Sequence, residues 1–86
     1  EQADLFMILP GGIGTIEELF EVWTGKHVGE YQKTAILINL NGFYNSLLIF
    51  IQDMRRNGFL NESHLSELKV VDTVSEALEL AEELLK

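Results

Sequence analysis

The chain has 86 residues, of which 47% are hydrophobic, and a formal net charge of −8 at pH 7 from 14 acidic and 6 basic side chains. That length allows one small domain, burying only about 60 to 65% of the surface its unfolded form exposes. The acidic balance repels phosphodiester backbones and argues against nucleic acid as a partner. The absence of cysteine removes disulfides, thiolate nucleophiles and Cys-based metal sites together.

No apolar run approaches the roughly 20 residues of a membrane-spanning helix, and no secretory leader precedes the first strand, so a cytoplasmic protein with no membrane partner is expected. Leu5 to Leu9 is a continuous apolar run, as in a strand covered on both faces, and Pro10 closes it by removing a ladder donor. Pro10-Gly11-Gly12-Ile13-Gly14-Thr15 follows, and the stripe Ile16, Leu19, Phe20, Trp23 then reads as an amphipathic helix. Thr15 is the predicted N-cap, with Glu18 three residues on completing a capping box. Gly29 is the predicted stop.

Thr34 to Asn39 predicts a second strand, and Asn41-Gly42 turns it into a helix whose period is carried by Tyr44, Leu47, Leu48, Ile51 and Met54. Asn57-Gly58 ends that helix and apolar Phe59 follows. Asn61 to Leu68 predicts a turn or two of helix, and Lys69-Val70-Val71 a third, brief strand. Thr73 and Glu76 cap a last helix with Val74, Ala77, Leu78, Ala81, Leu84 and Leu85 on one face, and with Glu76, Glu79, Glu82 and Glu83 facing water. Met7, Phe20, Trp23 and Phe50 fit core positions, and Arg55-Arg56 complements a helix C-terminus. His27 and His64 have no second ligand at i+3 or i+4, so no metal is assigned.

This order predicts an α/β, Rossmann-like three-layer fold in a single domain, with three parallel strands and helices on both faces of the sheet. Parallel strands end on a common edge, so Pro10 to Thr15, Asn39 to Gly42 and Asp72-Thr73 should share the ligand-bearing side. The glycine loop there leaves backbone N–H groups unshielded at a helix N-terminus, where orphan donors and the macrodipole favour a phosphate. It is neither G-x-G-x-x-G nor a Walker loop, since Thr15 follows Gly14 with no lysine. So small a sheet leaves an open edge, and self-association as a homo-oligomer, a dimer in the simplest case, is expected.

Pro10-Gly11-Gly12-Ile13-Gly14-Thr15-Ile16-Glu17-Glu18 resembles the PGGxGTxxE signature of the LOG family, the cytokinin riboside 5'-monophosphate phosphoribohydrolases often labelled lysine decarboxylases. Glu18-Leu19-Phe20-Glu21, Gly29, Lys33, Asn39, Asn41-Gly42-Phe43-Tyr44, Leu47-Leu48 and Gly58-Phe59 are similar to that family's pattern, in its order, so the likeness covers most of residues 4 to 76. It implies a nucleoside 5'-monophosphate as small-molecule partner, no cofactor, phosphate anchoring by Gly11, Gly12, Gly14 and Thr15, and Glu18 as the catalytic carboxylate. Glu21 would lie in a supporting position. Nothing marks a Schiff-base lysine or a pyridoxal phosphate site. Family members are about twice as long and carry an Arg-Lys pair before the strand that opens here, so the chain is expected to be the C-terminal half of such a protein. The alternative is a non-catalytic nucleotide-binding or carrier module with the same loop.

Overall fold

The computed structural model describes residues 3–24 and 32–85. Within them run β1 (Ala3–Ile8), α1 (Ile13–Thr24), β2 (Gln32–Ile38), a single 3₁₀ turn (Leu40–Gly42), α2 (Asn45–Arg56), α3 (Glu62–Ser66), β3 (Leu68–Val71) and α4 (Val74–Leu84). The strands form one parallel sheet in the order β1-β2-β3, with Ile8 beside Leu37 and Ile38 beside Val71. The three strands therefore end together, and the segments that follow them emerge on one edge. The predicted α/β fold, with helices on both faces of a three-stranded parallel sheet, is borne out.

β2 is central and buried on both faces, so its side chains sort by alternation. Ala35 and Leu37 join Ile8, Leu68, Leu19, Val22, Trp23, Tyr44 and Ile51 in the larger core, while Ile36 and Ile38 meet Ala77 and Ala81 of α4. α1, α2 and α3 thus cover one face and α4 the other. The Trp23 indole N–H donates to the His64 carbonyl at 2.6 Å, tying α1 to α3.

The helix ends follow local chemistry. Gly58 sits at φ 84° after α2, and its N–H reaches the Arg55 carbonyl while that of Phe59 reaches Met54, which is the Schellman pattern the Asn57-Gly58 signal predicts. Arg55 and Arg56, in the last turn of α2, pair with Glu62 and Asp53 respectively. The Asn61 side chain caps α3 through the His64 N–H. Thr73 accepts from the Glu76 N–H at 3.1 Å, and the Glu76 carboxylate accepts from the Asp72 N–H at 2.9 Å. The second capping box is present, with its return bond displaced one residue upstream.

Several core assignments need correction. Met7 is 39% exposed, because β1 is an edge strand and α4 packs on β2 and β3. Phe50 is on the outward side of α2 and is exposed. Only Ala77 and Ala81 of the predicted α4 stripe are buried; Val74, Leu78, Leu84 and Leu85 stay exposed, since one helix on that face of the sheet has no neighbour to cover its flank. The predicted stop at Gly29, and His27, lie outside the described residues.

Candidate active site

Residues 9–12 connect β1 to α1. The first intrahelical bond of α1 runs from the Ile16 N–H to the Gly12 carbonyl at 3.1 Å, so Gly12 occupies the N-cap position and Ile13, Gly14 and Thr15 form the first turn. This corrects the expected cap. Thr15 lies inside the helix and Glu18 one turn further on, so the two do not form a capping box; the helix winds back into the glycine loop because Gly12 can start it. The amides of Gly12, Ile13, Gly14 and Thr15 precede that first bond, and helix geometry gives them no acceptor of their own. The positive end of the α1 dipole lies at the same place.

The glycines differ in what fixes them. A Cβ on Gly11 would stand 2.3 Å from the Thr15 hydroxyl oxygen and 2.9 Å from its Cβ, so Gly11 is required by the packing of Thr15 under the loop. A Cβ on Gly12 or Gly14 would meet nothing within 4 Å, and neither residue has a positive φ. Gly14 even stands inside a helix, where glycine costs about 1 kcal/mol relative to alanine. Neither backbone conformation nor packing within the described residues requires those two glycines.

Gly14, Glu18 and Glu21 recur at i, i+4 and i+7 along α1, which places them on one flank of the helix. Glu18 is exposed and Glu21 half-buried. The rise of about 1.5 Å per residue sets Glu18 roughly 6 Å along the axis from Gly14, one turn above the amide cluster. Glu21 also shares a groove with Glu17, Phe20 and Thr24 on the outer side of α1, so it adjoins Glu17 as well as Glu18. Ile13, 89% exposed, together with Leu9 and Phe43, gives this edge of the sheet an apolar rim.

The neighbouring turn supports the loop in a way that sequence reasoning did not find. Asn39 is buried; its side-chain oxygen accepts from the Tyr44 N–H at 2.6 Å and its amide donates to the Asn45 side-chain oxygen at 2.8 Å. Tyr44 is 3% exposed, and its hydroxyl donates to the Leu9 carbonyl at 2.6 Å. Burial pushes the Tyr44 hydroxyl above the ordinary phenol range, against a smaller opposing effect of the Gly11 backbone. The periodicity had placed Tyr44 in the helical stripe alone. The available signal was an asparagine ending an otherwise apolar strand, with a second polar pair, Asn41 and Asn45, just beyond it.

The family model described as "Possible lysine decarboxylase" matches residues 1–81. The chain belongs to that family. Relatives named cytokinin riboside 5'-monophosphate phosphoribohydrolase include two from Arabidopsis thaliana. One is 50% identical over 60 residues, covering 70% of this chain and 28% of its own length; the other is 42% identical over 82 residues, covering 95% and 38%. A third, from Mycobacterium tuberculosis, is 32% identical over 78 residues, covering 91% of this chain and 42% of its own. The expected likeness to the LOG family is borne out, and the chain spans about two fifths of the length of such relatives. Among the described residues no helix is long and apolar enough to cross a membrane, and no cluster of His, Cys, Asp or Glu could hold a metal ion.

Proposed function

We propose that this chain is the C-terminal half of a nucleoside 5'-monophosphate phosphoribohydrolase, which hydrolyses the N-glycosidic bond of a cytokinin ribotide or of AMP to free base and ribose 5-phosphate. The relatives' names support the reaction class. The observation that carries the reading to this chain is the open space over Gly12 and Gly14, two glycines that the fold does not require and an approaching phosphate does.

In this reading the amides of Gly12, Ile13, Gly14 and Thr15 hold the phosphate, with the α1 dipole adding to their pull, while Gly11 keeps Thr15 beneath them. The ribose then extends along the flank of α1 toward Glu18. As the bond from the anomeric carbon to the base breaks, positive charge develops on the sugar ring, and an anionic carboxylate one turn above the phosphate stabilises it. Water adds to the anomeric carbon as the bond to the base breaks, its proton passes to the solvent or to Glu18, and the departing base nitrogen takes up one proton from the solvent, which leaves free base and ribose 5-phosphate. Glu21 is a supporting carboxylate on the same flank. The net charge of −8 does not oppose a phosphate here, because backbone donors and helix polarity act over a few ångströms.

Self-association belongs to the same proposal. Ile49, Phe50 and Phe59 are exposed on and beside α2, and such a surface together with open strand edges favours a homodimer. The absence of cysteine fits a cytoplasmic setting. The test of the phosphate site is a titration of the chain with AMP and with adenosine in parallel. AMP should bind at least about tenfold more tightly, and equal affinities would overturn the reading.

A further inference from the structure

We propose that Tyr44 is a positioning residue for the glycine loop, its buried hydroxyl acting as a latch that fixes where the loop presents its amides. The inference rests on the phosphate-site reading and adds a residue to it. The Tyr44 hydroxyl donates to the Leu9 carbonyl at 2.6 Å across 35 positions of sequence, immediately before Pro10 and the glycines. Two residues separate Leu9 from Gly12, the N-cap of α1, so a shift at Leu9 passes directly into the amide cluster.

The latch is itself held in place. Asn39 grips the Tyr44 N–H at 2.6 Å and Asn45 at 2.8 Å, and its own N–H donates to Val71 at 2.8 Å. The ring packs in the larger core and meets Phe43 edge-on at 4.9 Å between centroids. The start of α2, the end of β2 and the end of β3 are therefore tied together at the Tyr44 backbone, and the hydroxyl at the far end of the ring reaches the strand-to-loop junction of β1. A tyrosine needed only for packing would be served as well by phenylalanine. Here the hydroxyl satisfies a carbonyl at a point where Pro10 breaks the strand ladder and supplies no N–H of its own.

The test is Tyr44→Phe, which keeps the ring and removes the hydroxyl. Amide hydrogen exchange at Gly11, whose backbone faces the Tyr44 hydroxyl, and at Ile16, whose N–H holds the Gly12 carbonyl, should quicken, and AMP affinity should fall about tenfold, while adenosine affinity stays unchanged. Unchanged exchange at those amides together with unchanged AMP affinity would overturn the latch. A variant that loses AMP and adenosine binding equally would also overturn it, because that is the mark of general destabilisation. If the unmutated chain shows no preference for AMP over adenosine, the phosphate-site reading fails, and the latch then stands or falls on the amide exchange alone. Should Tyr44→Phe not fold, 3-fluorotyrosine in the otherwise unmutated chain gives a second readout. One of its two tyrosine signals should shift on titration with AMP and not with adenosine, and no such shift would overturn the proposal.

Discussion

Two strand-to-helix turns leave the same edge of the sheet, and both carry glycine, yet they are built on opposite principles. The turn after β2 is closed on itself. Asn41 and Gly42 sit at φ 53° and 71°, a Cβ on Gly42 would stand 2.6 Å from the Asn45 amide nitrogen, and buried Asn39 has its side-chain oxygen and amide both engaged. The turn after β1 is open: Gly12 and Gly14 have ordinary backbone angles, empty space where a side chain would be, and amides with no intrahelical acceptor. Glycine in the first turn answers a demand of the chain. In the turn after β1 only Gly11 answers such a demand, and on the proposed reading Gly12 and Gly14 are there for a ligand.

The contrast can be sharpened by substitutions on either side of it. The largest effect is expected at Glu18, beside the open turn, in a protein of the family's full length. Glu18→Gln should raise the barrier by about 3 kcal/mol, on the order of a hundredfold in rate. Since Glu18 is exposed and does not cap α1, thermal stability should be nearly unchanged. Release of free base from AMP, followed alongside a melt, checks both parts, and near-wild-type turnover would remove Glu18 from the mechanism. Next comes the closed turn: Gly42→Ala forces a left-handed backbone on an L-residue and crowds Asn45, which should cost about 2 kcal/mol of stability in urea denaturation. Its effect on AMP affinity measured on the folded fraction should be small. The smallest is Thr73→Ala at the third segment on this edge, where loss of the α4 cap should cost about 1 kcal/mol by the same denaturation and leave AMP binding alone.

How much of this was legible in the sequence depends on whether a feature is local. The strands, the Asn57-Gly58 stop and the Thr73 cap are decided by neighbours within four or five residues, and all three were read from the chain. The N-cap of α1 was misplaced by three residues, Thr15 for Gly12, because Thr15 and Glu18 imitate a capping box while Gly12, lacking a side chain to cap with, gives no signal as a start. Met7, Phe50 and the Val74, Leu78, Leu84, Leu85 stripe were read as core because apolar periodicity reports what a residue could bury against, not whether a partner is there. The Tyr44 contact with Leu9 links positions on different strands' connections, and no local pattern encodes it. For the proposed site, Gly11, Gly12, Gly14, Thr15 and Glu18 were named from the motif and Glu21 from the wider family likeness. The distinction between Gly11, required by packing, and Gly12 and Gly14, which are not, needed the coordinates.

The central claim, that the open glycines are kept for a phosphate, is tested most directly by Gly12→Asp. The position is the N-cap of α1, where aspartate is as good a residue as any and better than glycine by a few tenths of a kcal/mol, and a Cβ there meets nothing within 4 Å. A thermal melt should therefore stay level or rise slightly. AMP affinity measured on the same sample should fall at least about a hundredfold, because a fixed carboxylate would occupy the place and the charge of the phosphate. Stability held and binding lost is the predicted result; AMP binding as tight as in the unmutated chain would contradict it.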